Sequence, residues 1–509
     1  MYQRVSMLVA LIFSAILACS TGTAFPDELN HGMGIRFTRR GLEKFCQKGY
    51  AIIPDIIAGM PSFQIPEITL GSLKFTLSNV KVRAVRVATM DVYLQSNNFV
   101  KMETRDGLMQ LSVRLEAKIT GISGTVDCTF TLKDFGADIS LRLGDDPDCP
   151  YHFGLFDISN VIYSSGLDID AVGLDTGGSI LANAIQGMAP TLEGVIKDTV
   201  MSSLMTTIFN AIKQSMLELP LVVQLDEYMT DQRYINGINV IDGKIVANQG
   251  GFSIIVDPSD WSVRALYPNK ITSPPPRTVY TNRDYELYFD RESVNSYLYV
   301  WHTADDKFKA CDLTVPYSAI KSQNIPGLAD ALVKAGLLSN ADDSGRDITL
   351  ALAVSPSKSA APHIPWVGAA ALPVNLTGAL VVTASKAPDS ASTTLVSVEG
   401  SMLLTSTLKL KKFTYGFNND QVRAYVELLS VHDIAVTKND GSDTSYTVPL
   451  LAYMVSETYL PFVNPFLAEP GICLMNGNFI DYATVSTICL CGEDRVLFAS
   501  DIERNRYFA

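Results

Sequence analysis

From Ser179 to Leu217 the chain carries only four charged side chains, Glu193, Lys197, Asp198 and Lys213. Ile180, Ala184, Ile185, Met188, Leu192, Val195, Ile196 and Thr199 recur at three-and-four spacing, and Leu204, Ile208, Phe209, Ile212 and Met216 continue the stripe. That period predicts a helix. Pro190 is placed to kink it and Pro220 to stop it. A helix so long and apolar needs a large apolar surface to lie on. The rest of the chain must supply that surface.

It does so with strands. Leu73, Phe75 and Leu77 alternate with Lys74, Thr76 and Ser78, and Val80 and Val82 alternate with Lys81 and Arg83. The segments Gly107–Thr125 and Thr129–Leu143 continue this period of two, which predicts long, half-buried strands. Asp145-Asp146-Pro147-Asp148 reads as a turn. Ahead of the strands, Gly41–Ile57 reads as an amphipathic helix containing Pro54. The second half repeats this outline. A short helix over Ile325–Leu338 precedes strands at Ile348–Val354, Gly378–Ser385, Thr394–Leu404 and Thr407–Phe417. A mostly apolar helix at Val448–Phe466 and a closing strand at Thr487–Ala499 follow. The recurrence suggests a diverged tandem duplication.

Ser273-Pro274-Pro275-Pro276 favours an extended connection, so the boundary is placed beside it. The start of the chain has Arg4, an apolar run from Met7 to Cys19 and small residues to Ala24, the pattern of a secretory signal. The expected division is a signal over 1–24, a first domain over 25–260, a linker over 261–280 and a second domain over 281–509.

The net charge of −13 argues against nucleic acid as a partner. The charge is uneven: Arg36 to Lys118 holds 13 Lys and Arg against 7 Asp and Glu, whereas Asp127 to Asp260 holds 6 against 19. Five histidines form no His-Glu-x-x-His pattern, and there is no Gly-x-Ser-x-Gly turn and no phosphate-cradling glycine loop. The chain reads as a non-enzyme without a metal or cofactor. Cys489-Leu490-Cys491 lacks the further close ligands a zinc site needs, so disulfides or buried thiols are the expectation there. Cys128 and Cys149 lie at either end of a strand–turn unit, where a bridge would pin the strands. Asn375-Leu376-Thr377 is a glycosylation sequon.

Two readings of the apolar helices compete. They pack a core, or they leave surplus apolar surface for a ligand's acyl chains. Each buried methylene contributes about 0.8 kcal/mol, so a two-chain lipid could bind through apolar contact alone.

The order and spacing of several segments resembles the family of bactericidal/permeability-increasing protein, lipopolysaccharide-binding protein and plasma lipid transfer proteins. The carriers are Gly34-Ile35-Arg36-Phe37-Thr38-Arg39-Arg40-Gly41-Leu42 and the stretch from Gly71-Ser72-Leu73 to Val82. Pro274-Pro275-Pro276 followed by Tyr285-Glu286-Leu287-Tyr288-Phe289 adds to them. So do Val398-Glu399-Gly400-Ser401-Met402, Leu408-Lys409-Leu410, Leu460-Pro461-Phe462-Val463-Asn464 and Val496-Leu497-Phe498-Ala499-Ser500-Asp501.

This resemblance implies an α+β fold, an elongated boomerang of two pseudo-symmetric antiparallel β-barrels. Each barrel would be packed with a long apolar helix, and a central sheet would join them. It implies one phospholipid pocket per half, lined by Leu42, Phe45, Ile53, Ile185, Met188, Leu192, Val195 and Val455. It also implies a Cys128–Cys149 disulfide. The expected partners are phospholipids or other amphipathic lipids and, transiently, a membrane or lipoprotein surface; the expected location is outside the cell or in the secretory lumen. An alternative is an innate-immune binder of bacterial lipopolysaccharide acting through Lys81, Arg83, Arg86, Lys101 and Arg105. The acidic balance and the extra cysteines Cys473, Cys489 and Cys491 depart from the family's pattern.

Overall fold

The computed structural model describes residues 32–50, 63–70, 72–86, 88–149, 151–217, 221–225, 228–257, 259, 262–269, 281–305, 307–341, 343–368, 371–386, 391–415, 419–439, 444–468, 471–474, 485–490 and 494–502. The signal segment, the proline linker, Ile53 and the side chains of Phe45, Cys46, Cys473, Cys489 and Cys491 lie outside the described set.

Strand β1 (Met33–Thr38) runs into helix α1 (Arg39–Tyr50). Then come β2 (Phe63–Leu70), β3 (Leu73–Arg86), β4 (Thr89–Leu94), β5 (Phe99–Ile119), β6 (Ile122–Asp145), β7 (Phe153–Tyr163) and β8 (Gly166–Gly173). These seven form one antiparallel sheet in the order β2-β3-β5-β6-β7, with β4 on β5 and β8 on β6. The β5–β6 turn falls at Thr120-Gly121, both at positive φ, so β5 ends before the expected Thr125.

The two longest strands stay apolar on one face because they change phase together. Val100 and Thr104 point inward on β5, and after Asp106 at φ 55° the inward set becomes Gly107, Met109 and Leu111. On β6 the same shift follows Asp134 at φ 48°, from Phe130 and Leu132 to Phe135 and Ala137. Gly107 and Phe135 are paired, so the two bulges lie side by side and bend the sheet. A Cβ on Gly107 would overlap the carbonyls of Arg86 and Phe135.

The long helix is interrupted. It comprises α2 (Thr176–Gly187), α3 (Ala189–Val195), a π-helical turn (Ile196–Met201) and α4 (Ser202–Leu217). Pro190 opens α3, where its missing N–H costs nothing. Asp175 caps α2 by accepting from Gly178 N and also accepts from Thr125 N at 2.9 Å, tying the helix start to β6.

Six more strands follow: β9 (Val222–Leu225), β10 (Tyr228–Asp231), β11 (Tyr234–Ile241), β12 (Lys244–Gln249), β13 (Ser253–Val256) and β14 (Val263–Leu266). β14, β13, β10 and β9 make a small sheet. After the linker come β15 (Tyr285–Asp290) and α5 (Arg291–Asp305), which packs on β13 and β14. β16 (Ala310–Pro316), α6 (Tyr317–Lys321), α7 (Leu328–Lys334), β17 (Thr349–Pro356), β18 (Leu372–Ser385), β19 (Thr393–Tyr415) and β20 (Asn419–Asn439) lead to a second interrupted helix. That helix is α8 (Thr444–Met454), a π turn (Val455–Tyr459) and α9 (Leu460–Ala468). β21 (Ile472–Leu474) completes the sheet β16-β17-β18-β19-β20-β21. β22 (Ser486–Leu490) and β23 (Arg495–Ser500) are the last of the described strands.

Several expectations change. The two strands expected over Thr394–Phe417 are one strand, β19, kept continuous through register shifts. The closing strand is a hairpin of two, and α5 and β20 had no counterpart in the sequence reading. Neither large sheet closes into a barrel: β2 and β7 remain opposite edges of one, and β16 and β21 of the other, among the described strands. The fold is mixed α+β and mostly sheet.

The expected Cys128–Cys149 disulfide is absent, because Cys128 is a free thiol. The strand's length is the reason. β6 carries the chain roughly 50 Å from Cys128 to Asp145 at ~3.3 Å per residue, and a bridge requires Cα atoms within about 7 Å.

A central sheet, β11-β12-β1-β15-β23-β22, joins strands from both sides of the linker. One face gives Met33, Leu287, Phe289 and Phe498 to the core of the second half. The other is a buried charge ladder. Arg36 meets Glu286 and Arg495 meets Asp290, each at 3.6 Å. Tyr288 lies between them, with the guanidinium carbons 5.7 and 5.8 Å from its ring centroid. Gly34 has no side chain because the Tyr288 ring occupies that space.

Burial raises the Asp290 carboxyl from 3.8 to about 6. The folded chain therefore binds this proton more tightly than the unfolded one, and the group's contribution to stability falls as pH rises from about 4 to 6. Replacing Asp290 with Asn removes that dependence. Relative to the variant, the wild type should lose up to roughly 3 kcal/mol across this window, with a flat difference above it, measured by denaturant unfolding at stepped pH.

Candidate functional site

The inward face of the first sheet and the helix on it form two apolar clusters. In the first, Leu181, Ile185, Leu192 and Ile196 of the helix pack on Leu77, Leu111, Phe130 and Leu132 of the strands. In the second, Met205 and Phe209 meet Val92, Val100, Leu141, Leu143 and Leu155. The π turn sits between these helix segments and rotates the apolar stripe back onto the sheet.

Four of the helix residues expected to line a pocket are brought together. Ile185 and Leu192 are buried in the first cluster, with Met188 and Val195 half-buried against it. Leu42 is half-buried in the second cluster. Val455 is buried in the second half, in the π turn of its helix.

Ile139 and Ile162 touch both clusters and are only half-buried. Val82 and Met102 are inward-facing and half-buried too. Met102 is paired with Ile139, so these two and Ile162 form a half-buried apolar floor where the clusters meet, whereas Val82, paired with Leu111, lies along the first cluster. Sequence reading missed Ile139 because the bulge at Asp134 changes which residues of β6 face inward, and Met102 and Ile162 because they lie outside the strand segments read from the alternation. Had Asp134 been taken as a phase break, the alternation would have pointed to Ile139.

The second half packs as one cluster, with Leu410, Phe462 and Phe466 partly buried against it. One continuous buried cluster runs from Met33 to Ile502 and includes Val455, Met454 and Tyr459. Tyr459 donates to the carbonyl of Phe308 at 2.8 Å, and Tyr297 donates to that of Leu467.

The five basic residues separate into two groups. Lys101 lies 2.5 Å from Glu103 and 3.7 Å from Asp138, and Arg105 lies 2.5 Å from Asp138. Arg105 also stacks over Tyr163 at 4.9 Å. These two cations are neutralised locally, and Arg105 holds the Asp138 carboxyl below its usual range despite burial. Lys81, Arg83 and Arg86 are exposed along β3, and Arg83 reaches Ser112 Oγ at 3.3 Å.

Asn375 is half-buried in β18, paired with Leu403 on one side and bridged to His363 on the other. Among the described residues, no group of three or more His, Cys, Asp or Glu is placed to hold a metal, and no helix is long and apolar enough to cross a membrane.

No family model and no curated protein matches the chain. Solved structures similar to it include a crystal structure of lipopolysaccharide binding protein, 12% identical, covering 94% of this chain and 100% of that chain with a TM-score of 0.47. Takeout 1 of Epiphyas postvittana is 14% identical, covering 35% of this chain and 92% of that chain with a TM-score of 0.28. Resemblance at this level leaves function to the site itself.

Cys128 faces the interior of the first sheet, and burial pushes its thiol up to about 12. It should resist iodoacetamide at mildly alkaline pH in the folded protein and react fully in denaturant without reductant. The exposed Cys311 should react in both. Peptide mass mapping checks this, and a Cys128–Cys149 peptide pair in a non-reducing digest would refute it.

Proposed function

We propose that this chain is an exported, non-enzymatic lipid-binding protein that shelters phospholipid acyl chains between its first sheet and the helix lying on it. One observation supports this most: Met102, Ile139 and Ile162 face inward and are only half-buried, where two buried clusters meet. Acyl chains laid on this floor would complete its burial, at about 0.8 kcal/mol per methylene. Met188 and Val195 would border the slot from above.

In this reading the two halves differ. The second half is filled by its own side chains, so the expected capacity is one two-chain lipid per chain. The two large sheets, each carrying one interrupted helix, would form arms on either side of the central sheet. The internal pairing of Lys101 and Arg105 favours the interior over the basic surface as the main lipid contact. Binding should therefore depend weakly on salt.

Native mass spectrometry of the purified protein, with extraction and identification of bound lipid, tests the reading. One co-purifying phospholipid per chain is expected, and Met188→Asp should abolish loading while the fold persists. A bare protein mass, with no uptake from liposomes, would reject it.

A further inference from the structure

A second feature lies at the waist, outside the apolar slot. A cleft of about 330 Å3 is lined by Arg40, Thr281, Asn282, Arg283, Ser486 and Asp501. It gathers the start of α1, the entry to β15, strand β22 and the residue after β23.

Its cations are held in place. Asp284, fully buried, accepts from Arg40 Nε, from Lys44 Nζ and from the Ile502 N–H at 3.1 Å. Asp501 accepts from Arg40 Nη2 at 3.1 Å and from Arg283 Nη1 at 2.6 Å. The loop bearing Arg283 is fixed as well. Thr281 donates to Glu286 Oε1 through its N–H at 2.8 Å and its hydroxyl at 2.7 Å, and Arg283 N donates to Thr281 Oγ1 at 3.3 Å. Lys244 Nζ reaches the Thr281 carbonyl at 3.4 Å.

This contiguous network holds Arg36, Arg40, Lys44, Lys244 and Arg283 against Asp284, Glu286 and Asp501. Among the residues lining the cleft, Arg40 and Arg283 stand against Asp501, a local excess of cations on a chain whose net charge is −13. Arg40 and Arg283 are 59% and 41% exposed. Among the described residues, the contacts above and that of Arg40 Nη2 with the Asn282 carbonyl at 3.5 Å leave Arg40 Nη1 and Arg283 Nε and Nη2 as N–H donors at the cleft. Preorganised guanidinium donors with an unbalanced positive charge suit a tetrahedral oxyanion.

We propose that this waist cleft binds a phosphate group, either a phospholipid headgroup or a soluble phosphate. The proposal goes beyond the acyl slot and does not depend on it, since the cleft is polar and made by different residues. If the phosphate is a lipid's, the cleft adds headgroup selection to a protein that otherwise grips acyl chains.

The test uses the full secreted chain. Calorimetry measures binding of inorganic phosphate and of sn-glycerol 3-phosphate. Flotation measures capture by phosphatidylcholine vesicles with and without phosphatidic acid. Arg283→Glu and Asn282→Glu place a carboxylate in the cleft, and Lys334→Glu makes a matching charge change on the exposed face of α7. Asn282 is exposed, so its variant should keep the wild-type unfolding midpoint.

Both cleft variants should weaken phosphate binding about tenfold or more, and Lys334→Glu should leave it unchanged. Raised salt should weaken it further. Cleft-dependent capture by phosphatidic acid vesicles identifies a headgroup site. Cleft-dependent binding of the soluble phosphates alone identifies a free-phosphate site. No binding of any of these probes, or binding that both cleft variants retain, overturns the proposal. Loading of neutral phosphatidylcholine should persist in the cleft variants, so failure here is separable from failure of the acyl slot.

Discussion

The pairing of β1 with β15 holds the rest of the molecule together. These strands stand on opposite sides of the proline linker, yet Gly34 faces Tyr288 and Arg36 faces Glu286 in one ladder. One face of the ladder extends the apolar core of the second half, so β1 helps complete a cluster built mostly from residues after the linker. The other face buries two ion pairs around Tyr288. Such pairs add little net stability against an apolar alternative, but breaking one leaves a charge stranded. Their value here is register: a slip of one residue would turn Arg36 and Glu286 into the apolar core. The waist cleft and the entry of α1 onto the first sheet both follow from that register.

A second constraint is geometric. A sheet with strands of 21 and 24 residues cannot stay flat, and a straight helix cannot follow a twisting surface for long. The chain meets this with local exceptions to its own periodicity. Adjacent bulges at Asp106 and Asp134 shift two strands together, and a π turn in each long helix shifts the stripe above. In the second half one continuous cluster results, with Tyr297 and Tyr459 hydrogen-bonded to distant carbonyls. In the first half the buried residues fall into two clusters, with Ile139 and Ile162 half-buried where they meet. The proposed acyl slot lies at that meeting.

Much of this was legible in advance. The alternation on β3 and β5 and the stripe on α2 to α4 are local patterns, and they named Ile185, Met188, Leu192 and Val195 as residues sharing one face. The helix α5 was less visible because its sequence mixes serine, tyrosine and asparagine with few aliphatic residues. Its buried face is read only once β13 and β14 are seen against it. Ile139 was hidden for another reason: the bulge at Asp134 breaks the alternation where β6 remains continuous. Met102 and Ile162 lie on parts of β5 and β7 where no strand was read.

What the sequence by itself determined is what repeats over a few residues: sheet-forming alternation and a helix too apolar to stand alone. Those follow from backbone periodicity, which is local. The tertiary structure alone decided which charges cancel, which cysteine is out of reach of its expected partner, and which apolar side chains stay half-buried. Lys101 and Arg105 looked like a basic patch until Asp138 was found between them. Arg40 and Asp501 meet across 461 residues of chain. Neutralisation, reach and burial are relations between residues far apart in sequence, and they exist only after the sheets have set the distances.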